Sequence, residues 1–185
     1  MKYTEVERKY RIADPDLLRA RLKETGATGH GQTRQIDTYY NAPHRDFLSH
    51  DIVSEWLRVR DEDGVASLNL KRWLPLGAAE QTHCDEFEST VTDGHAVRQL
   101  LAALDFPQLV TVDKTRDTWT LNDTVEVAVD TVTGLGSFVE FEYIGAATTV
   151  EDATLELTRA IDKLNVGLGE RDRRGYPYQL LNRQR

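Results

Sequence analysis

The stretch EVERKY, residues 5–10, poses the question from which the fold is read. Glu5, Glu7 and Lys9 alternate with Val6, Arg8 and Tyr10. In a β-strand successive side chains point to opposite faces, so Glu5, Glu7 and Lys9 are expected to share one. A half-buried strand hides its apolar face and wets the other. Two acids and a base in line, so near the start of the chain, need something to confront.

The same alternation recurs down the chain. Arg58 and Arg60 alternate with Leu57 and Val59, and Asn69 and Lys71 alternate with Leu68 and Leu70. Glu86 and Glu88 flank Phe87, and Lys114 and Arg116 fall two apart. Glu126 and Asp130 oppose Val125, Val127 and Val129, while Glu140 and Glu142 alternate with Val139, Phe141 and Tyr143. One such pair is the ordinary wet face of an amphipathic sheet. Seven strands with segregated signs are not, because neighbouring strands on a solvated face pair opposite charges freely. The pattern predicts an antiparallel β-barrel whose charged face lines its interior, with the apolar face covered from outside. Function is the reason to tolerate so many inward charges.

Turn chemistry divides the chain into eight expected strands at 2–12, 33–41, 52–61, 65–73, 83–91, 109–119, 124–132 and 136–145. Asp63-Gly64 and Asn122-Asp123 are hairpin turns. Helices are expected at 15–25, with Leu17, Leu18 and Leu22 on one face, at 94–104 after the cap Asp93, and at 151–165 with Leu155, Leu157, Ile161 and Leu164. A short helix closes the chain around 177–183. The class is therefore α+β: an eight-stranded barrel with helices packed on its outside.

At 185 residues the chain is read as one domain, residues 1–185. A hydrophobic content of 39% and a charged content of 29% describe a globular protein with a polar bias. No apolar run approaches the roughly 20 residues of a membrane helix. The chain enters a strand pattern without a signal-peptide core, and Cys84 is its single cysteine, so a reducing, cytoplasmic location is expected. The net charge of −8 repels nucleic acid and anionic membranes as main partners. Oligomeric state is not read from the sequence; a homodimer is compatible with it.

The expected interior has a definite chemistry. Lys9, Arg58, Arg60, Lys71, Lys114 and Arg116 supply the charge to balance a triphosphate. Three of the chain's six lysines fall in this set. Arginine's fork meets phosphate oxygens bidentately and lysine acts as a point charge. Glu5, Glu7, Asp130, Glu140 and Glu142 are hard oxygen donors for Mg²⁺ or Mn²⁺, with water and phosphate completing the shell.

These residues resemble the CYTH superfamily, which includes class IV adenylyl cyclases, thiamine triphosphatases and inorganic tripolyphosphatases. The resemblance is carried in order by Glu5-x-Glu7-x-Lys9, Gln35-x-Asp37-x-Tyr39-Tyr40, Leu57-Arg58-Val59-Arg60, Leu68-Asn69-Leu70-Lys71, Glu86-x-Glu88, Lys114-x-Arg116 and the run from Asp130 to Glu142. It implies an eight-stranded tunnel that binds a triphosphate with a divalent metal. By position it makes Glu5, Glu7, Asp130, Glu140 and Glu142 metal ligands. Lys9, Arg58, Arg60, Lys71, Lys114 and Arg116 become phosphate contacts, with Lys9, Lys114 and Arg116 acting at the reacting phosphoryl group. Glu86 and Glu88 match interior acids that either ligate or orient the basic residues. The segment Gly175-Tyr176-Pro177-Tyr178 is similar only loosely to the family's ending and receives no role.

Within the superfamily the Gln-x-Asp-x-Tyr-Tyr strand is most similar to class IV adenylyl cyclases, which implies ATP converted to cyclic AMP and pyrophosphate. The alternatives are hydrolysis of tripolyphosphate, thiamine triphosphate or a nucleoside triphosphate, and a sensor that binds polyphosphate without turning it over. Other signals are structural: Gly134-x-Gly136 is a turn, the five histidines are scattered, and Cys84 packs. Trp56, Trp73 and Trp119 are read as packing residues.

Overall fold

The computed structural model describes residues 2–183. The class is α+β and the sheet antiparallel, as the alternation predicts. The described strands number ten rather than eight, in the hydrogen-bonded order β1-β6-β5-β4-β3-β7-β8-β9-β2-β10. Two differences account for the count. The expected strand over 2–12 breaks at Val6 into β1 (Lys2–Glu5) and β2 (Glu7–Arg11), and a two-residue β10 (Arg171–Asp172) pairs with β2. Among the described residues no helix is long and apolar enough to cross a membrane.

The residues group into two compact units. The first holds residues up to Thr4, Arg34–Lys114 and Arg174 onward. It contains β4 (Glu55–Glu62), β5 (Val65–Leu74), β6 (His83–Val91), α2 (Gly94–Ala103) and α4 (Gly175–Arg183). The strands β3 (Thr28–Tyr40) and β7 (Gln108–Leu121) contribute residues to both units.

In the first unit β4 meets β5 through a turn in which Asp63 and Gly64 take φ of 47° and 81°, the left-handed pair a tight hairpin requires. Val59, Tyr40 and Leu101 form a buried cluster with Leu57, Leu68 and Val97 packed against it, so α2 covers the Leu57–Val59 face of β4. The helix begins where the Asp93 carboxylate accepts a hydrogen bond from the Ala96 amide at 2.9 Å. Arg58 and Arg60 therefore stand on the face of β4 that α2 does not cover.

The second unit holds Glu5–Thr33 and Thr115–Arg173, with β2, β8 (Val125–Val132), β9 (Gly136–Tyr143), β10, α1 (Pro15–Glu24) and α3 (Val150–Leu164). Its core joins Val125, Val127, Val129, Val139 and Phe141 from the strands to Leu18, Leu22, Leu157, Ile161 and Leu164 from the helices. The covered helix faces are narrower than the apolar spacing predicts: Leu17 is 60% exposed and Leu155 49%. Arg21 donates to the last carbonyl of α3, Leu164 O, at 2.8 Å, and Asn165 closes that helix in the left-handed region. Val6 is buried in this core and its carbonyl accepts from the Tyr143 amide at 2.9 Å.

Candidate functional site

Register fixes which side chains stand abreast in the first unit. Across β6, β5, β4 and β3 the facing residues are Thr90, Ser67, Arg60 and Asp37 in one row, and Glu88, Asn69, Arg58 and Tyr39 in the next. Glu86, Lys71 and Trp56 form the third row. Directly opposed residues share a face, so these rows make one polar surface.

Asp37 organises it. The carboxylate is 1% exposed and accepts from Arg60 Nε and an Arg60 terminal nitrogen at 2.7 and 2.8 Å, and from Arg58 Nη1 at 3.2 Å. Burial disfavours the charge of Asp37, but Arg58, Arg60 and Lys114 outweigh it and hold the carboxyl far below the usual carboxylate range. Burial likewise opposes the charge on Arg58, and Asp37, Tyr39 and Glu86 override it, so the guanidinium stays protonated. Burial raises the Tyr39 phenol, reinforced by Asp37, so it remains a neutral hydroxyl.

Glu86 accepts from the Asn69 amide nitrogen and stands 3.8 Å from both Arg58 Nη2 and Lys71 Nζ. Glu88 accepts from the Ser67 hydroxyl at 3.0 Å. The sequence left Glu86 between ligating and orienting; here it sits beside the cations Arg58 and Lys71. Three buried atoms of this surface have no hydrogen-bond partner: Arg58 Nε, Asn69 Oδ1 and Gln35 Oε1. Buried polar groups are nearly always paired, so these three atoms can accept or donate to a further group.

The second unit gathers Glu5, Glu7, Lys9, Arg116, Asp130, Glu140 and Glu142. Of the expected cations, Arg58, Arg60, Lys71 and Lys114 belong to the first unit and Lys9 and Arg116 to the second. All five acids expected to bind metal fall in the second unit. Lys9 opposes Glu140 across β2 and β9, with 2.6 Å between Nζ and Oε1. Burial works against its charge, but Glu140, Glu7 and Asp172 prevail and raise its pKa. Arg116 grips the fully buried Asp130 through two bonds of 2.8 and 2.7 Å and also reaches Glu140.

Glu7 faces Glu142 across β2 and β9, and Glu142 faces Glu126 across β9 and β8. Like charges directly opposed repel unless a cation is near, and the Lys9 ammonium lies in the field of Glu7. Among the described residues no three Asp, Glu, His or Cys side chains form a metal cage. Mg²⁺ is commonly held by one or two carboxylates plus substrate phosphates. The donor set of Glu7 and Glu142 fits such an ion.

Three contributors escape a reading of the sequence alone. Asp37 is a motif letter without a role there, Asp172 faces Lys9 from β10, and Glu126 extends the carboxylate row. Asp172 lies in a strand of two residues, too short to show a period. Glu126 is visible in the alternation of β8 but not as the neighbour of Glu142.

Comparison with known proteins identifies the family. A family model described as the CYTH domain matches residues 3–176. A candidate adenylate cyclase of Methanocaldococcus jannaschii is 31% identical over 173 residues, covering 93% of this chain and 95% of that protein. A solved structure of a Pyrococcus horikoshii protein superposes with a TM-score of 0.80 at 28% identity, covering 98% and 99% of the two chains. A candidate adenylyl cyclase from Hippeastrum, described as having a dominant triphosphatase activity, shares the fold with a TM-score of 0.67 at 16% identity over 100% and 96% of the chains. With its alternating charged strands, its paired arginines and this match over nearly its whole length, the chain belongs to the CYTH domain family.

Proposed function

We propose that the protein is a metal-dependent enzyme acting on a triphosphate, converting ATP to cyclic AMP and pyrophosphate. The observation that carries the phosphate assignment is the first unit's surface. Arg58, Arg60, Lys71 and Lys114 share it, and the buried Arg58 Nε–H has no acceptor of its own. A phosphate oxygen would supply an acceptor to such a donor. The candidate adenylate cyclase of M. jannaschii, at 31% identity, favours the nucleotide reaction.

In that reaction the ribose 3′-hydroxyl attacks the α-phosphorus and gives up its proton to solvent, the bond from that phosphorus to its bridging oxygen breaks, and pyrophosphate leaves with the electron pair. There is little covalent work for the protein. Positioning and charge stabilisation dominate. Arg58, Arg60 and Lys71 bind phosphate, while Lys114, Arg116 and Lys9 oppose the charge that develops. Mg²⁺ or Mn²⁺ held by Glu7 and Glu142, with Glu5, Asp130 and Glu140 in support, would neutralise phosphate oxygens when bound.

A second reading is favoured by the activity ascribed to the Hippeastrum protein. There water attacks the terminal phosphorus, the bond from that phosphorus to its bridging oxygen breaks, the remaining diphosphate leaves with the electron pair, and orthophosphate forms as the water's proton is lost to solvent. Incubating the protein with ATP, tripolyphosphate or thiamine triphosphate in Mg²⁺ or Mn²⁺, and identifying products by phosphorus NMR, separates the two. Cyclic AMP and pyrophosphate from ATP are expected, with all turnover lost in chelator. Tripolyphosphate cut faster than ATP, with ATP yielding only ADP and orthophosphate, replaces the cyclase with a hydrolase. Full activity in chelator ends the metal assignment.

A further inference from the structure

The surroundings of the three tryptophans divide them. Trp119 is 7% exposed and packs into the core of the second unit. Trp56 is as deeply buried and stands edge-on to Tyr39, with ring centroids 5.7 Å apart at 83°. Trp73 belongs to neither arrangement and stays partly exposed. A scattered surface aromatic is ordinary. This one is set apart by its place.

Strand β5 carries Asn69, Lys71 and Trp73 on one face, because they fall two apart and the register against β6 runs unbroken from Asn69 to Trp73. Arg60, Arg58 and Lys71 occupy successive rows of the polar surface, and Trp73 stands in the next. Its backbone is fixed there. The Trp73 amide donates to the Ser54 carbonyl at 2.7 Å, and the Ser54 hydroxyl accepts from the Gly77 amide and from Gln81 Nε2, each at 2.8 Å. The Thr82 amide ties the far end of the same loop to the Leu74 carbonyl at 2.8 Å. The loop after Trp73 is thus anchored at both ends, and the tryptophan has only two side-chain torsions left to order.

Two residues of strand span about 6.8 Å. A ribose holds a nucleobase and its 5′-phosphate apart by a similar distance. A flat ring on Trp73 with a phosphate at Lys71 is therefore the layout of one nucleotide, and a bare polyphosphate chain has nothing to lay on Trp73.

We propose that Trp73 is the stacking platform for the base of a nucleoside triphosphate, and that it makes the site prefer a nucleotide to inorganic polyphosphate. This rests on the triphosphate reading above, and the test tells failure of the one from failure of the other.

ATP and tripolyphosphate are titrated separately by calorimetry in chelator, where no turnover is expected. In Trp73→Leu the ATP affinity should fall about five- to 150-fold, while tripolyphosphate affinity changes by less than about twofold. Trp73→Phe keeps a π-face and should retain most of the ATP affinity. ATP should quench tryptophan emission where tripolyphosphate does not, and the quenching should vanish in Trp73→Phe although ATP still binds. If Trp73→Leu does not fold, this emission experiment decides.

ATP affinity that is indifferent to Trp73→Leu overturns the proposal, as does a loss shared equally by tripolyphosphate, which makes Trp73 a packing residue. Quenching by ATP that survives in Trp73→Phe overturns it too. Tripolyphosphate binding without ATP binding removes the stacking platform and leaves the polyphosphate site standing. Binding of neither removes the triphosphate reading itself, and the platform with it.

Discussion

Asp37→Ala is expected to destabilise the first unit by about 3–5 kcal/mol, the cost of removing one partner from a buried ion pair. Asp37 is 1% exposed and is the carboxylate between two guanidiniums, Arg60 at 2.7 Å and Arg58 at 3.2 Å. Without it two like charges, two residues apart on one strand face, would remain buried together. A shift in the urea midpoint at unchanged slope measures the loss. Asp37→Asn keeps the shape and removes the charge, so its difference from the unsubstituted protein isolates the electrostatic share. The sign with pH follows from the depressed carboxyl. Its stabilisation is present in full above the ordinary Asp value of about 3.9 and disappears as pH falls through the lower folded-state value. The stability gap between the unsubstituted protein and the Asp37→Asn variant should therefore be flat from neutrality to about pH 5 and narrow in stronger acid. A gap that persists unchanged in acid would mean that shape, not charge, is what Asp37 supplies.

Arg116→Ala should have the larger effect on turnover, a loss of about 10²–10³-fold, as expected when one stabiliser of developing charge is removed. The same substitution strands Asp130, which is wholly buried and held by Arg116 through two bonds. Stability falls with activity in the single variant, so the single variant cannot apportion the effect. The pair Arg116→Ala with Asp130→Asn can. Relieving the buried charge should return most of the lost stability while turnover stays low. Recovery of turnover in the double variant would make Arg116 a structural partner of Asp130 and nothing more.

The period-two alternation makes the sheet, its two faces and most of the charged residues readable. Alternation depends on side chains alone, and so it is blind to hydrogen-bond partners. Val6 continues the pattern of its neighbours, yet the backbone breaks there, leaving Glu5 in one strand and Glu7 in another. The same blindness hides Glu126, whose meaning lies in facing Glu142 rather than in its own strand. Leu17 and Leu155 stay exposed because apolar spacing marks a broad stripe on a helix, and only packing selects the part that is covered. Asp37 is legible as a residue but not as a clamp, because its partners come from the adjacent strand. Tyr176 meets Lys114 only once α4 is placed, a contact no local pattern encodes.

The carboxylates that hold the first unit's cations have a kinetic meaning as well. Asp37 and Glu86 are tethered to the same scaffold as Arg58, Arg60 and Lys71, and so compete with any bound anion at a high effective concentration. On the triphosphate reading proposed above, a polyphosphate arriving there would enter an exchange, taking guanidiniums and an ammonium from resident partners that remain within reach. As a polyanionic product loosened, those partners would reclaim their cations and oppose rebinding. Some equilibrium affinity is given up in return for quick release. A site that must let go of a highly charged product on every cycle benefits from carrying its own competitor.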